Sequence, residues 1–258
     1  MTSPIVRTRQ LRLQIGDRIL CDQLNLSVAA GQRMAVLGQN GSGKTTLLHS
    51  LLKLCRVDKS RIEIDGRALT HWSRRDLAKT VGILFQENQD DMPATVHETV
   101  MLGRLPHLSG WRWESESDFA LAENALKTVG LEAMTGRNVS SLSGGERQRL
   151  AIASLLTQSP KLYLLDEPSN HLDISFQIKT LKLLTETVIR DNSALIMATH
   201  DINLAARFCD QILLLNGDGT YTLGPATEVL TDVTLSHAYN CEIRHVATDI
   251  GKLYFPVT

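Results

Sequence analysis

The chain has 258 residues, 43% of them hydrophobic, and its 27 basic and 28 acidic side chains leave a net charge of -1. That length and apolar content support one large domain, or a domain with an inserted lobe, around a sizeable core. The charge balance removes the electrostatic case for nucleic acid or an anionic lipid surface as the main partner.

Cys21, Cys55, Cys209 and Cys241 are dispersed without a C-x-x-C pair, which predicts reduced packing thiols rather than a metal or redox site. No apolar run reaches the ~18 residues that span a bilayer, and MTSPIVRTRQ carries no apolar signal segment. A cytosolic chain that reaches a membrane through a partner is therefore expected.

In chain order, Ile5 to Ile15 and Ile19 to Val28 alternate apolar and polar residues around Gly16-Asp17, which predicts an antiparallel hairpin. Arg33 to Leu37 predicts a third strand. It runs directly into GQNGSGKTT, Gly38 to Thr46, and then into a helix over Lys44 to Leu54 with leucines near helical spacing. A strand that gives way to glycines, a lysine and two threonines at a helix start suits a polyphosphate. Glycine brings backbone NH groups close to oxygens, and the helix adds its positive end. The spacing fits G-x-x-x-x-G-K-[ST], so Gly38, Asn40, Gly41, Ser42, Gly43, Lys44, Thr45 and Thr46 are candidate nucleotide-binding residues. In that motif the lysine reaches the β and γ phosphates and the Thr45 hydroxyl holds Mg²⁺.

Ile62-Glu63-Ile64-Asp65-Gly66 reads as a strand and turn, and Val81 to Phe85 as another strand. Residues 87 to 141 differ in holding Trp111, Trp113, Pro93, Pro106 and the acidic stretch 114 to 118. Two helices are predicted there. One opens at the capping box Thr95-x-x-Glu98, and one carries Phe119, Ala122, Leu126 and Val129 on a face. This stretch is expected to be a helical insertion.

From residue 142 the core resumes, with helices over Glu146 to Leu156 and Phe176 to Ile189 and strands over Leu162 to Leu165 and Ala194 to Ala198. The alternation predicts an α/β fold with a parallel sheet covered on both faces. Gln211 to Leu215 and Thr220 to Leu223 flank Asn216-Gly217-Asp218-Gly219 as a terminal hairpin. After Gly224 the pattern supports no assignment.

Two further stretches carry chemistry. In Lys161-Leu-Tyr-Leu-Leu-Asp166-Glu167-Pro168 a buried strand ends in two carboxylates, which would face ligands gathered at the carboxyl edge of the sheet. Asp166 is the candidate Mg²⁺ partner and Glu167, one step further, the candidate general base toward a water. In Leu142-Ser143-Gly144-Gly145-Glu146 a capping box by itself accounts for Ser143 and Glu146. The two glycines fit a second anion contact at a helix start.

GQNGSGKTT, Gln86 in LFQE, LSGGERQR, YLLDEPSNHLD and His200 in ATHD occur in the order found in ABC-type ATPases, which this chain resembles over nearly its whole length. The resemblance implies an ABC-type P-loop ATPase core and an N-terminal antiparallel β subdomain, formed by 1–86 and 142–258, with a helical subdomain at 87–141. It implies a homodimer with ATP and Mg²⁺ between phosphate loop and LSGG segment, so that Ser143, Gly144, Gly145 and Asp173 act in trans. It further implies that Gln86 senses metal and water and that His200 holds the γ phosphate and the water. Gln86, Lys44, Glu167 and His200 are thus the candidate catalytic residues, and Thr45, Gln86 and Asp166 the candidate metal set. His97, His107 and His171 are expected to be structural.

The segments VMLGRLPHLSGW, SNHLDI and LGPATEVLT resemble those of ATPase subunits of iron-siderophore, haem and cobalamin importers. This implies a peripheral place on the cytoplasmic face of the inner membrane, under two transmembrane permease subunits, with a substrate-binding protein in the complex. Residues 87 to 113 would line the permease groove, and Trp111 or Trp113 would anchor the partner or pack locally. The family's usual adenine-stacking aromatic is replaced here by Ile15, which implies aliphatic contact and weaker discrimination between ATP and GTP. The alternative, a soluble ABC-type ATPase of translation or DNA repair, usually carries two cassettes or a long coiled-coil insertion, neither of which this chain has.

Overall fold

A computed structural model describes residues 3–86, 93–108, 113–168, 173–249 and 251–257. The chain opens with β1 (Val6–Thr8), β2 (Leu11–Ile15), β3 (Arg18–Leu24), β4 (Ser27–Val28) and β5 (Arg33–Gly38). Then come α1 (Lys44–Leu51), β6 (Ile62–Ile64), β7 (Arg67–Ala68), α2 (Arg74–Thr80) and β8 (Val81–Leu84). The middle carries α3 (Val96–Met101), α4 (Glu116–Thr128) and α5 (Gly144–Gln158). The chain continues with β9 (Leu162–Asp166), α6 (Ile174–Arg190), β10 (Ala194–Ala198), α7 (Ile202–Phe208), β11 (Gln211–Leu215) and β12 (Tyr221–Pro225). The last elements are α8 (Ala226–Val229), α9 (Asp232–Tyr239), β13 (Ile243–Thr248) and β14 (Gly251–Pro256).

The central sheet has the order β12-β11-β5-β10-β9-β8. Its strands are parallel except β12, which returns antiparallel to β11. Because strand side chains alternate, each inner strand feeds two cores. Ala35, Leu37, Leu165 and Met197 face one cluster with α4, α5 and α6, while Met34, Val36, Leu164 and Ile196 face another with Leu47, Leu48 and Leu51 of α1. The sheet is covered on both faces, as expected. Cys21 and Cys209 sit in these cores as free thiols, and burial pushes each up to about 12.

The first hairpin departs from expectation. β2 and β3 pair around Gly16, but β1 leaves them to pair with β4 and β6. Gln10 and Gln23 both take left-handed backbone, φ 47° and 51°, which bends the chain out of the ladder on either side. Thr8 holds the corner by donating to Leu24 O at 2.8 Å and accepting from Leu26 N at 3.0 Å.

Helix α1 stops at Leu51 rather than Leu54, because Lys53 turns left-handed and His49 O takes the amides of Leu52 and Leu54. The capping box at Thr95 and Glu98 opens α3, and Ala122, Leu126 and Val129 are buried along α4. Phe119 does not join that buried face. It is 39% exposed and stacks on His97 at 5.8 Å. Trp113 is 87% exposed, so local packing does not account for it. Trp111 and His171 lie outside the described residues, as do 87–92, 109–112 and 169–172.

Helices α2 and α7 are not anticipated by the apolar pattern, although Ser73 and Asp201 cap them. The tail after Gly224 is ordered by Thr231, whose side chain caps α9, and by the β13–β14 ladder. Among the described residues no helix is long and apolar enough to cross a membrane.

Candidate functional site

The phosphate-loop candidate leaves the C-terminal end of β5 in the middle of the sheet. Gly38 has φ 145°, and a Cβ there would stand 2.6 Å from Leu215 O and 2.7 Å from Ser42 Oγ, so only glycine passes between β11 and the returning loop. Gly43, φ 109°, crosses the Leu20 side chain so closely that a Cβ there would stand 3.0 Å from Leu20 Cβ. It occupies the cap position of α1 without a side-chain cap, and α1 has no acidic residue in its first turn. The first amides of α1 are thus left for an outside acceptor at the helix's positive end.

Lys44 is buried and donates from Nζ to Gly38 O at 2.8 Å and to Gln39 O at 3.2 Å. Burial pulls its pKa down, against the nearby Glu167 and Asp166 carboxylates. Thr45 Oγ1 donates to Asp166 Oδ1 at 3.1 Å, joining the start of α1 to the end of β9. Asp166 is raised above the ordinary carboxylate range, chiefly by burial, with the Thr45 hydrogen bond, His49 and Lys44 opposing. A buried carboxylate within hydrogen-bond reach of a hydroxyl suits a small hard cation, which both oxygen types ligate.

Glu167 is only 6% exposed and has left-handed backbone, φ 48°, where a non-glycine residue costs about 1 kcal/mol or more. Its amide donates to Ala198 O at 2.9 Å, which ties the conformation to the end of β10. The His200 ring, just past that same end, meets it through Nδ1 and Glu167 Oε2 at 2.9 Å. His200 remains largely exposed, as a group that meets a ligand must be.

Asn40, Gly41, Gly43, Lys44, Thr45, Thr46, Gln86 and Glu167 line one cavity of about 320 Å³, together with Ile15 and Leu20. Ile15 is 60% exposed, so the lining includes an accessible branched aliphatic surface. Leu20 and His49 belong to this neighbourhood without having been singled out by sequence. Periodicity alone could have suggested His49, which follows Thr45 by one helical turn. A larger groove of about 810 Å³ runs outside β2 between Arg12 and the segment Arg56 to Arg61, and holds none of the candidate catalytic residues.

Ser143, Gly144, Gly145 and Asp173 are not brought to this cavity. Ser143 caps α5 in a full capping box with Glu146, the Ser143 amide donating to Glu146 Oε2 at 2.7 Å. A Cβ at Gly144 would meet nothing within 4 Å, so the fold itself does not require glycine there. Asp173 caps α6, accepting from Phe176 N at 2.9 Å.

A family model described as ABC transporter matches residues 21–170. A Bacillus subtilis (strain 168) protein named as a siderophore transport system ATP-binding protein, YusV, is 36% identical over 92% of this chain and 87% of its own length. One chain of an ABC transporter described as metal-chelate type, in an inward-facing conformation, superposes with a TM-score of 0.84 at 27% identity, covering 99% of this chain and 98% of that one. A dimeric ATP-binding cassette in a post-hydrolysis state, bound to ADP and Pi, superposes with a TM-score of 0.73 at 27% identity over 86% of this chain and 98% of its own.

Proposed function

This chain belongs to the ABC transporter family as an ATP-hydrolysing subunit, and from that premise we propose that it powers uptake of a metal chelate through a partner permease. The observation that carries the proposal is the end-to-end match with a chain of a metal-chelate type transporter, which includes the C-terminal segment beyond the matched family region. The siderophore-transport relative supports the same cargo class, of which iron-siderophore, haem and cobalamin complexes are members. Trp113 and Leu105, 87% and 55% exposed, are apolar side chains available to a permease segment, which supports the reading of this region as the permease contact. On this reading the protein lies at the cytoplasmic face of the inner membrane, held by two permease subunits and supplied by a substrate-binding protein.

Within the cavity each side chain has work that its surroundings support. Lys44, buried and polarised toward carbonyl oxygens, neutralises phosphate oxygens, and the loop amides of Gly41 and Gly43 together with α1 orient them. Thr45 and Asp166 would hold Mg²⁺, with Gln86 at the same cavity, and the metal would supply charge neutralisation between phosphates. Glu167 accepts a proton from an attacking water, and His200 fixes the carboxylate through its 2.9 Å contact and presents its ring to the γ phosphate.

Two copies of the chain would complete the site. The separation of Ser143, Gly144, Gly145 and Asp173 from the cavity, and the glycine at 144 that no internal contact requires, support a role facing a second molecule. ATP clasped between two subunits would draw them together, and hydrolysis would release them.

The test is uptake in the source organism. A strain without this chain should lose uptake of one radiolabelled chelate among ferric siderophores, haem and cobalamin. The wild-type chain should restore it and the Glu167→Gln chain should not. Unimpaired uptake of all three classes would refute the cargo assignment.

A further inference from the structure

The C-terminal segment makes contacts that the chemistry above leaves unused. Helix α9 ends against the phosphate loop, where Gln39 donates from Nε2 to Ala238 O at 3.0 Å. The next residue, Tyr239, carries its hydroxyl toward the Gly38 backbone amide. That oxygen is enclosed, and although it lies close to the Gly38 amide it makes no well-formed hydrogen bond among the described residues. Burial pushes the phenol up to about 12, so it remains a neutral donor and acceptor. An enclosed hydroxyl without a well-formed hydrogen bond is costly unless some state of the protein uses it.

The segment is firmly seated. Leu235 and Ala238 are buried, and Tyr254 donates from its hydroxyl to Leu230 O at 3.0 Å. Tyr254 also binds Asn203 of α7 in both directions, through its amide at 2.8 Å and its carbonyl at 3.1 Å. The same unit therefore grips the loop that carries Lys44 and the helix that starts beside His200.

In this structure Lys44 Nζ bonds the carbonyls of Gly38 and Gln39. An ammonium that turns to a phosphate gives those contacts up, and the Gly38 and Gln39 peptides then need another anchor. We propose that Tyr239 and Gln39 are positioning residues for the phosphate loop: Gln39 pins the loop to α9, and the Tyr239 hydroxyl oxygen accepts a full hydrogen bond from the Gly38 amide once Lys44 turns to nucleotide and frees that peptide to shift. This rests on the nucleotide reading of the loop.

The experiment compares wild type, Tyr239→Phe and Gln39→Leu for ATP turnover, equilibrium binding of a non-hydrolysable ATP analogue, and Tm. Tyr239→Phe should raise KM for ATP and Kd for the analogue about five- to tenfold, the worth of one hydrogen bond. Its kcat should stay within about twofold of wild type and its Tm should be unchanged, since a merely structural hydroxyl would move Tm and leave KM alone. Gln39→Leu should raise KM in the same direction. Analogue binding within about twofold of wild type for both variants would overturn the proposal, as would a fall in Tm with KM unchanged. Analogue binding by the wild-type chain is the separate check on the nucleotide reading.

Discussion

Replacing Glu167 by glutamine removes one proton acceptor and leaves the shape of the site in place. The left-handed backbone at φ 48° and the amide bond to Ala198 O do not depend on the carboxylate, so the fold should tolerate the change. The carboxamide can still accept the 2.9 Å hydrogen bond from His200. It cannot take a proton from water, and a positioned base is worth ~10² to 10⁴ in rate, or ~3 to 5 kcal/mol of barrier. Glu167 is also the largest of the charges that hold Lys44 protonated against burial. In the variant that support falls to Asp166 and to bound phosphate, so ATP binding should persist while phosphate release slows at least a hundredfold by this estimate. Phosphate release and binding of a fluorescent ATP analogue read the two effects separately, and gel filtration with ATP should show closed dimers accumulating. Turnover within about tenfold of wild type would refute the assignment of Glu167 as the base.

A Gly38→Ala chain should lose about 2 to 4 kcal/mol of stability, because its methyl group would meet backbone Leu215 O at 2.6 Å with φ at 145°. A calorimetric Tm within about 2 °C of wild type would contradict that packing. If the base meets Ile15 and Leu20, the apolar side chains among the described residues that line the cavity, ATP and GTP should be turned over at comparable rates, and Ile15→Tyr should raise the preference for ATP. Strong ATP preference in the wild type would sink the aliphatic-contact reading. Asp118 is held at about 2 by hydrogen bonds from Ser115, then by Arg104, from the ordinary value of 3.8. A depressed carboxylate stabilises the fold above its unfolded pKa, and this contribution is lost as pH falls from about 4 through about 2. Denaturant unfolding should therefore lose about 1 to 2 kcal/mol over that window after allowance for solvent screening, and Asp118→Asn should lose the pH dependence.

Much of this site is legible in the residues because its geometry is local. Gly38 to Thr45 lie within one strand-loop-helix turn, and the sizes and charges of those residues already state what the loop can hold. Asp166 and Glu167 are readable for the same reason, as the end of a buried strand. Capping boxes at Thr95 and Ser143 also announce their helices, since a cap is a contact across three residues. The break in the first hairpin was less accessible. Gln10 and Gln23 have no residue-type preference for left-handed backbone, and their φ values follow from the competing pairing of β1 with β6. Phe119 likewise has the spacing of a core residue, and its ring settles on His97 only because α3 passes beside it.

The order of motifs determined the family and the reaction, because each motif is a set of residue types a few positions apart. Tertiary structure alone decided which distant groups surround them. It brought Thr45 to Asp166 across 121 positions, and it set α9 against the phosphate loop through Gln39 and Ala238 across 199. No local pattern encodes such contacts, since they arise where sheet order and helix packing close the chain upon itself.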